Sequence, residues 1–235
     1  MSQRTQWGLT PFGHAAESDV CRKADAVFSR AGALPSFVGM PRPARIQAAG
    51  AIYHLMNRGV RGSRLYTDDH EHEQFLGLLA ETCRRYVWLV STYCLLDNHY
   101  HLLVTTIEPT LSRGMQWLNG CYAQWFNWRH GHLGHAFFRR FHSVTIETEE
   151  QLAQTARYIV LNPVRAGLCS TPADWRWSSY RAMVGSEPPP RFLSCDSLLA
   201  QFGVDRAQAR ANFSSFVMGA SCARLSNGAT PRPPG

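Results

Sequence analysis

From residue 51 onward the apolar positions alternate between strand-like and helix-like spacing. AIYHLMNRG (51–59) reads as a strand that stops at Gly59, and DDHEHEQFLGLLAETCRRY (68–86) reads as a helix. That helix opens on Asp and closes with Arg84 and Arg85, the charge order the helix dipole favours. VWLVSTYCLL (87–96) and HYHLLVTT (99–106) are two strands joined at Asp97-Asn98, a pair suited to a tight hairpin turn. TLSRGMQWLNGCYAQWFNWRHG (110–131) opens on a Thr or Ser cap and places Leu111, Met115, Leu118, Tyr122 and Phe126 at three- and four-residue steps, which predicts a second helix. A strand at HSVTIET (142–148) leads into a helix over 149–167, acidic in its first turn and carrying Pro163 near its end.

The order β-α-β-β-α-β followed by a further helix predicts an α+β protein with a ferredoxin-like antiparallel sheet. Two helices would cover one face, leaving the helix at 149–167 to cover the other. Residues 1–39 lack sustained periodicity, and Met40 is followed by prolines at 41 and 43, so 1–39 is expected to be a loosely ordered extension. The main domain is placed at 40–185. GSEPPPR (185–191) reads as a linker into a small helical appendage over 186–222, and 223–235 as a disordered tail.

Composition narrows the class. The 235 residues are 45% hydrophobic, ample for one core, and no apolar run reaches the roughly 18 to 20 residues of a membrane span. The expected setting is the cytoplasm, without a membrane partner. Seven cysteines stand at 21, 83, 94, 121, 169, 195 and 222, never as CxxC, which favours neither a disulfide framework nor a thiolate zinc site. Net charge is +7, and every basic residue except Lys23 is arginine. Guanidinium forks bind phosphate oxygens bidentately, so the balance points towards nucleic acid, although a GC-rich genome would enrich arginine as well.

The chemistry concentrates in DNHYHLLV (97–104). In a strand, His99 and His101 project to one face with backbones about 7 Å apart, while Tyr100 points to the other. Two imidazoles so placed can converge on one cation, or can be polar residues of a partly wet face. The helix at 149–167 carries Tyr158 and Asn162, one turn apart on the same helical face. If it packs across the open side of the sheet, a phenol and an amide face the two imidazoles. Arg139 and Arg140 precede the strand at 142, and Arg45, Arg58 and Arg165 sit near motif ends; all five are candidate DNA-binding residues. Trp117, Trp125 and Trp128 read as core or helix packing rather than as platforms for bases.

GAIYHLMNRG (50–59), CLLDNHYHLLV (94–104), LSRGMQWLNGCYAQWFNWRHG (111–131), YIVLNPVRAGL (158–168) and WRWSSYRA (175–182) together resemble the single-tyrosine HUH transposases of small insertion-sequence type, in particular the REP-associated tyrosine transposases. The resemblance spans roughly 40 to 185. It implies cleavage of single-stranded DNA with Tyr158 as nucleophile and a 5′-phosphotyrosine intermediate. It further implies His99 and His101 as the metal pair, Asn162 at the position of a third ligand, Mg2+ or Mn2+ as cofactor, and hairpin-forming palindromic DNA as partner. Some relatives carry Gln at that third position; Asn is one methylene shorter. Relatives act as monomers or as homodimers. Two other readings remain open on the residues alone: a non-catalytic nucleic-acid-binding module of RNA-recognition-like fold, and a metal-dependent phosphodiesterase in which water attacks.

Overall fold

The computed structural model describes residues 47–225, with side chains to 219; the expected extension at 1–39, Arg45 and the tail from 226 lie outside the described residues. The chain forms β1 (Ile52–Arg58), α1 (Asp69–Tyr86), β2 (Trp88–Leu96), β3 (His99–Thr106), α2 (Leu111–His130), β4 (His142–Ile146) and α3 (Glu149–Arg165). Three shorter or later helices follow: α4 (Tyr180–Val184), α5 (Asp196–Leu199) and α6 (Arg206–Leu225). The sheet has four strands in the order β2-β3-β1-β4, all neighbours antiparallel, as the β-α-β-β-α-β order predicts. Among the described residues no helix is long and apolar enough to cross a membrane.

Strand alternation divides the molecule into two cores. Tyr53, Leu55, Tyr100 and Leu102 point to one face and are buried against Phe75 and Leu79 of α1 and Leu118 and Tyr122 of α2. Cys94, Leu96 and Leu103 point to the other, where Leu152, Ala156, Ile159 and Val160 of α3 meet them. Helices α4, α5 and α6 extend this second core through Tyr180, Leu198 and Phe213. Residues beyond 191 are therefore tied to the same layer as α3, and Ser194 donates a backbone hydrogen bond to Val90 on the sheet edge.

Local chemistry fixes the ends of the elements. Asp68 caps α1 by accepting from the Glu71 amide (3.0 Å). Thr148 does the same for α3 through the Gln151 amide (3.1 Å). The hairpin turn at Asp97-Asn98 is anchored by the β1–α1 connection: Leu65 and Tyr66 donate to the Asp97 carbonyl and Gly59 donates to the Asn98 carbonyl. Thr110 departs from expectation. Its hydroxyl accepts from the Trp88 indole (3.0 Å) and donates to the Tyr86 carbonyl (3.0 Å), so it pins the α1–β2 corner and does not cap α2. Strand β4 ends at Ile146 and α3 at Arg165, each two residues short of the expected end. Trp117 and Trp125 are core residues as expected, whereas Trp128 is two-thirds exposed.

Gly114 of α2 lies against Trp88: an added Cβ would sit 2.2 Å from the indole ring. Alanine gains about 1 kcal/mol of helix propensity over glycine, but the ring is held by Thr110 and cannot retreat. Overpacking of this kind costs about 1–3 kcal/mol. Gly114→Ala is therefore expected to lower the thermal midpoint by several degrees; an unchanged or raised midpoint in a melting experiment would contradict this packing.

His72 of α1 is 5% exposed, stacked between Tyr66 (4.6 Å) and Trp177 (4.3 Å), and donates from Nδ1 to the Asp68 carbonyl (2.9 Å). Burial lowers its pKa from the usual 6.5, outweighing that hydrogen bond and the nearby carboxylates. A depressed histidine contributes stability that is complete above the unfolded pKa of about 6.5 and is lost as pH falls below it. Urea midpoints at pH 7.5 and 5.5 should fall less steeply for His72→Phe than for the wild type, and identical slopes would exclude His72 as a contributor.

Candidate active site

The pairing of β1 with β3 builds the site. Arg58 lies opposite His99 and Met56 opposite His101, so the β1 residues of the same parity, His54, Met56 and Arg58, share the face that bears the two histidines. His99 and His101 stand with ring centres 5.1 Å apart. The His54 and His101 ring centres are 5.2 Å apart with planes 29° apart, and Nε2 of His54 faces Nδ1 of His101 at hydrogen-bond distance, 3.0 Å. Tyr158 projects from α3 onto this group: its ring centre is 5.6 Å from His101 and 6.0 Å from His54, both edge-on. The phenol is 40% exposed, so it is neither sunk in the core nor turned from the sheet. Beside it an open groove runs between β4 and the first turns of α3, lined by His54, Met56, Gln151, Gln154, Thr155 and Tyr158.

Burial sets the charge state of the imidazoles. His101 is pushed down to about 3, first by desolvation and then by His54 and His99. His54 is lowered to about 4 by desolvation and by His142, which opens β4 and pairs with Met56. His99 is lowered by burial and by the neighbouring Arg58 guanidinium. All three are neutral near pH 7, as a ligating or proton-accepting imidazole must be.

The tautomer of His99 follows from its neighbours. The Asn98 amide nitrogen donates to the Gly62 carbonyl (3.3 Å), which leaves its Oδ1 facing His99 Nδ1 at 2.7 Å. An amide oxygen only accepts, so the His99 proton sits on Nδ1 and Nε2 keeps its lone pair. Asn162, buried on the same helix as Tyr158, donates from Nδ2 to the Tyr158 carbonyl (3.0 Å), which assigns any ligating role to its amide oxygen. Among the described residues no three His, Cys, Asp or Glu side chains form a metal-holding group. The two imidazoles on this face suit a divalent cation that keeps positions open for oxygen ligands.

The predicted arginines fall into two places. Arg58 and Arg139 both lie over the exposed ring of Phe138, at 5.2 and 4.9 Å, and the Phe138 amide donates to the Arg58 carbonyl (3.0 Å). Arg140 follows, exposed, in the same loop. Arg165 lies over the Tyr158 ring at 4.7 Å. His54, His142 and Phe138 were not singled out by the sequence. A histidine at 54 with the parity of Met56 and Arg58 was a usable signal for His54, but only the β1–β3 register puts it beside His101.

Residues 47–162 match the model of the family described as IS200-like transposase. The segment contains both histidines and ends just past the tyrosine, and over it the chain belongs to that family. The structure is similar to that of a REP-associated tyrosine transposase bound to a REP hairpin, at 19% identity and a TM-score of 0.54, covering 67% of this chain and 93% of that one. A candidate transposase from Deinococcus radiodurans is also similar, at 15% identity and a TM-score of 0.36, covering 52% of this chain and 95% of that one. No curated protein sequence matches the chain. The four-stranded antiparallel sheet with its helices is the fold of the single-tyrosine transposases, and the class of the protein is that of a transposase.

Proposed function

We propose that the protein is an endonuclease and strand transferase for single-stranded DNA, with Tyr158 as its nucleophile. The observation that carries this reading is a half-exposed phenol whose ring centre lies 5.6 Å from that of a buried, neutral histidine, inside a segment of transposase family. The Tyr158 oxygen attacks the scissile phosphorus; the new O–P bond replaces the bond to the 3′ oxygen, which leaves as a hydroxyl. The 5′ end stays on the protein as phosphotyrosine, and another 3′-hydroxyl can reverse the step without ATP.

His99 and His101, with the amide oxygen of Asn162, would hold a divalent cation, Mg2+ or Mn2+, which when bound polarises the phosphate as a Lewis acid. This chain's own residues do the rest. Helix α3 aims the phenol across the sheet face, and Arg58, Arg139 and Arg140 supply guanidiniums for DNA phosphates at the His99 end. Arg165 supplies charge at the tyrosine itself. Phe138, exposed among these arginines, fits an unpaired base better than a duplex. The similar solved transposase is bound to a REP hairpin, which makes hairpin-forming single strands the substrate to try first.

Incubated with such DNA and Mn2+ or Mg2+, the wild-type protein should form a covalent adduct that survives denaturation. Tyr158→Phe should form none while binding the DNA normally. His99→Ala should cleave at least about 100-fold more slowly and still unfold cooperatively near the wild-type midpoint. DNA cleavage by Tyr158→Phe would instead make water the nucleophile, and binding without any cleavage by the wild type would reduce the protein to a binding module.

A further inference from the structure

The contact between His54 Nε2 and His101 Nδ1 (3.0 Å) holds a single proton when both rings are neutral, and the direction of donation decides what His101 can do. If His54 donates, the proton of His101 is on Nε2 and the ring has no lone pair for anything outside the pair. If His101 donates, its Nε2 keeps the lone pair. His99 is already in the second arrangement, with Nδ1 engaged by Asn98 and Nε2 left open.

We infer that His54 is a positioning residue that accepts the Nδ1–H of His101 and thereby fixes the tautomer in which His101 Nε2 can meet a divalent cation. This role rests on the reading of His99 and His101 as a cation site. Metal-bound histidines ordinarily give their second N–H to a carboxylate or a carbonyl, which orients the ring. On this face the strand carbonyls are engaged in the sheet, and among the described residues no carboxylate joins these histidines in a cluster. A neutral imidazole serves as acceptor instead, and it adds no negative charge beside a phosphate substrate. The geometry is well constrained: His54 is 8% and His101 4% exposed, their ring planes are 29° apart with the two nitrogens facing each other at 3.0 Å, and Tyr158 closes on both edge-on. The register of β1 on β3, fixed by two buried cores, holds the backbone of residue 54 beside that of His101.

The test uses the full chain, 15N-labelled and metal-free, in a long-range imidazole correlation spectrum that distinguishes protonated from unprotonated ring nitrogens, together with titration by Mn2+ alone. His99 and His101 should both carry the proton on Nδ1. In His54→Ala, His101 should shift towards the Nε2–H tautomer and Mn2+ affinity should fall about 10- to 100-fold; His54→Gln, which restores an acceptor, should recover most of that loss. A wild-type His101 protonated on Nε2, or Mn2+ affinity unchanged in a folded His54→Ala, would overturn the positioning role. If His54→Ala does not fold, the wild-type spectrum and the Gln variant decide. A wild type that binds no Mn2+ at all would overturn the cation site itself, a different failure from Mn2+ binding that ignores residue 54.

Discussion

The register between β1 and β3 is the constraint on which the rest of this molecule depends. It places Arg58 against His99 and Met56 against His101, and it thereby puts His54 in reach of the His101 ring. Because side chains alternate strictly along a strand, a slip of one residue would send His54 into the hydrocarbon of α1 and α2 and bring Tyr53 and Leu55 to the face that bears His99 and His101. What prevents the slip is burial on both faces: Tyr53, Leu55, Tyr100 and Leu102 fill one core, Leu103, Cys94 and Leu96 the other. The site is thus a polar window beside the open edge strand β4, in a sheet whose central strands are buried on both faces.

Helix α3 serves that window by being amphipathic in an unusual place. Leu152, Ala156, Ile159 and Val160 bind it to the sheet, while Tyr158, one position from Ile159, emerges at the edge of the buried stripe. A tyrosine there keeps its ring against imidazole edges and its hydroxyl within reach of solvent. Neutral histidines, Arg58 at one end and Arg165 over the phenol give these surroundings a positive field.

Much of this was readable from the chain. Alternation and the 3.6-residue period located every strand and the three long helices of the domain, because each element buries one face and must repeat apolar residues at its own period. Spacing puts His99 with His101, and Tyr158 with Asn162, on shared faces of single elements, but it left their roles open; it was the resemblance to the single-tyrosine transposases that singled them out as candidates. Thr110 and Trp128 were not: a threonine before a helix caps it unless a tertiary partner claims the hydroxyl, and a tryptophan at helical spacing is core only if a neighbour covers it. Here Trp88 and Tyr86 claim Thr110, and Trp128 stands exposed.

By itself, then, the sequence determined which elements form and which chemical groups each presents, since both follow from spacing within one strand or one helix. What only the tertiary structure decided is which groups from different elements meet: His54 with His101, Arg58 and Arg139 at Phe138, the phenol of Tyr158 over the imidazoles. Those meetings depend on strand register and on how a helix lies across a sheet, and both are set by packing between segments far apart in the chain, 47 residues for His54 and His101, which no local pattern encodes.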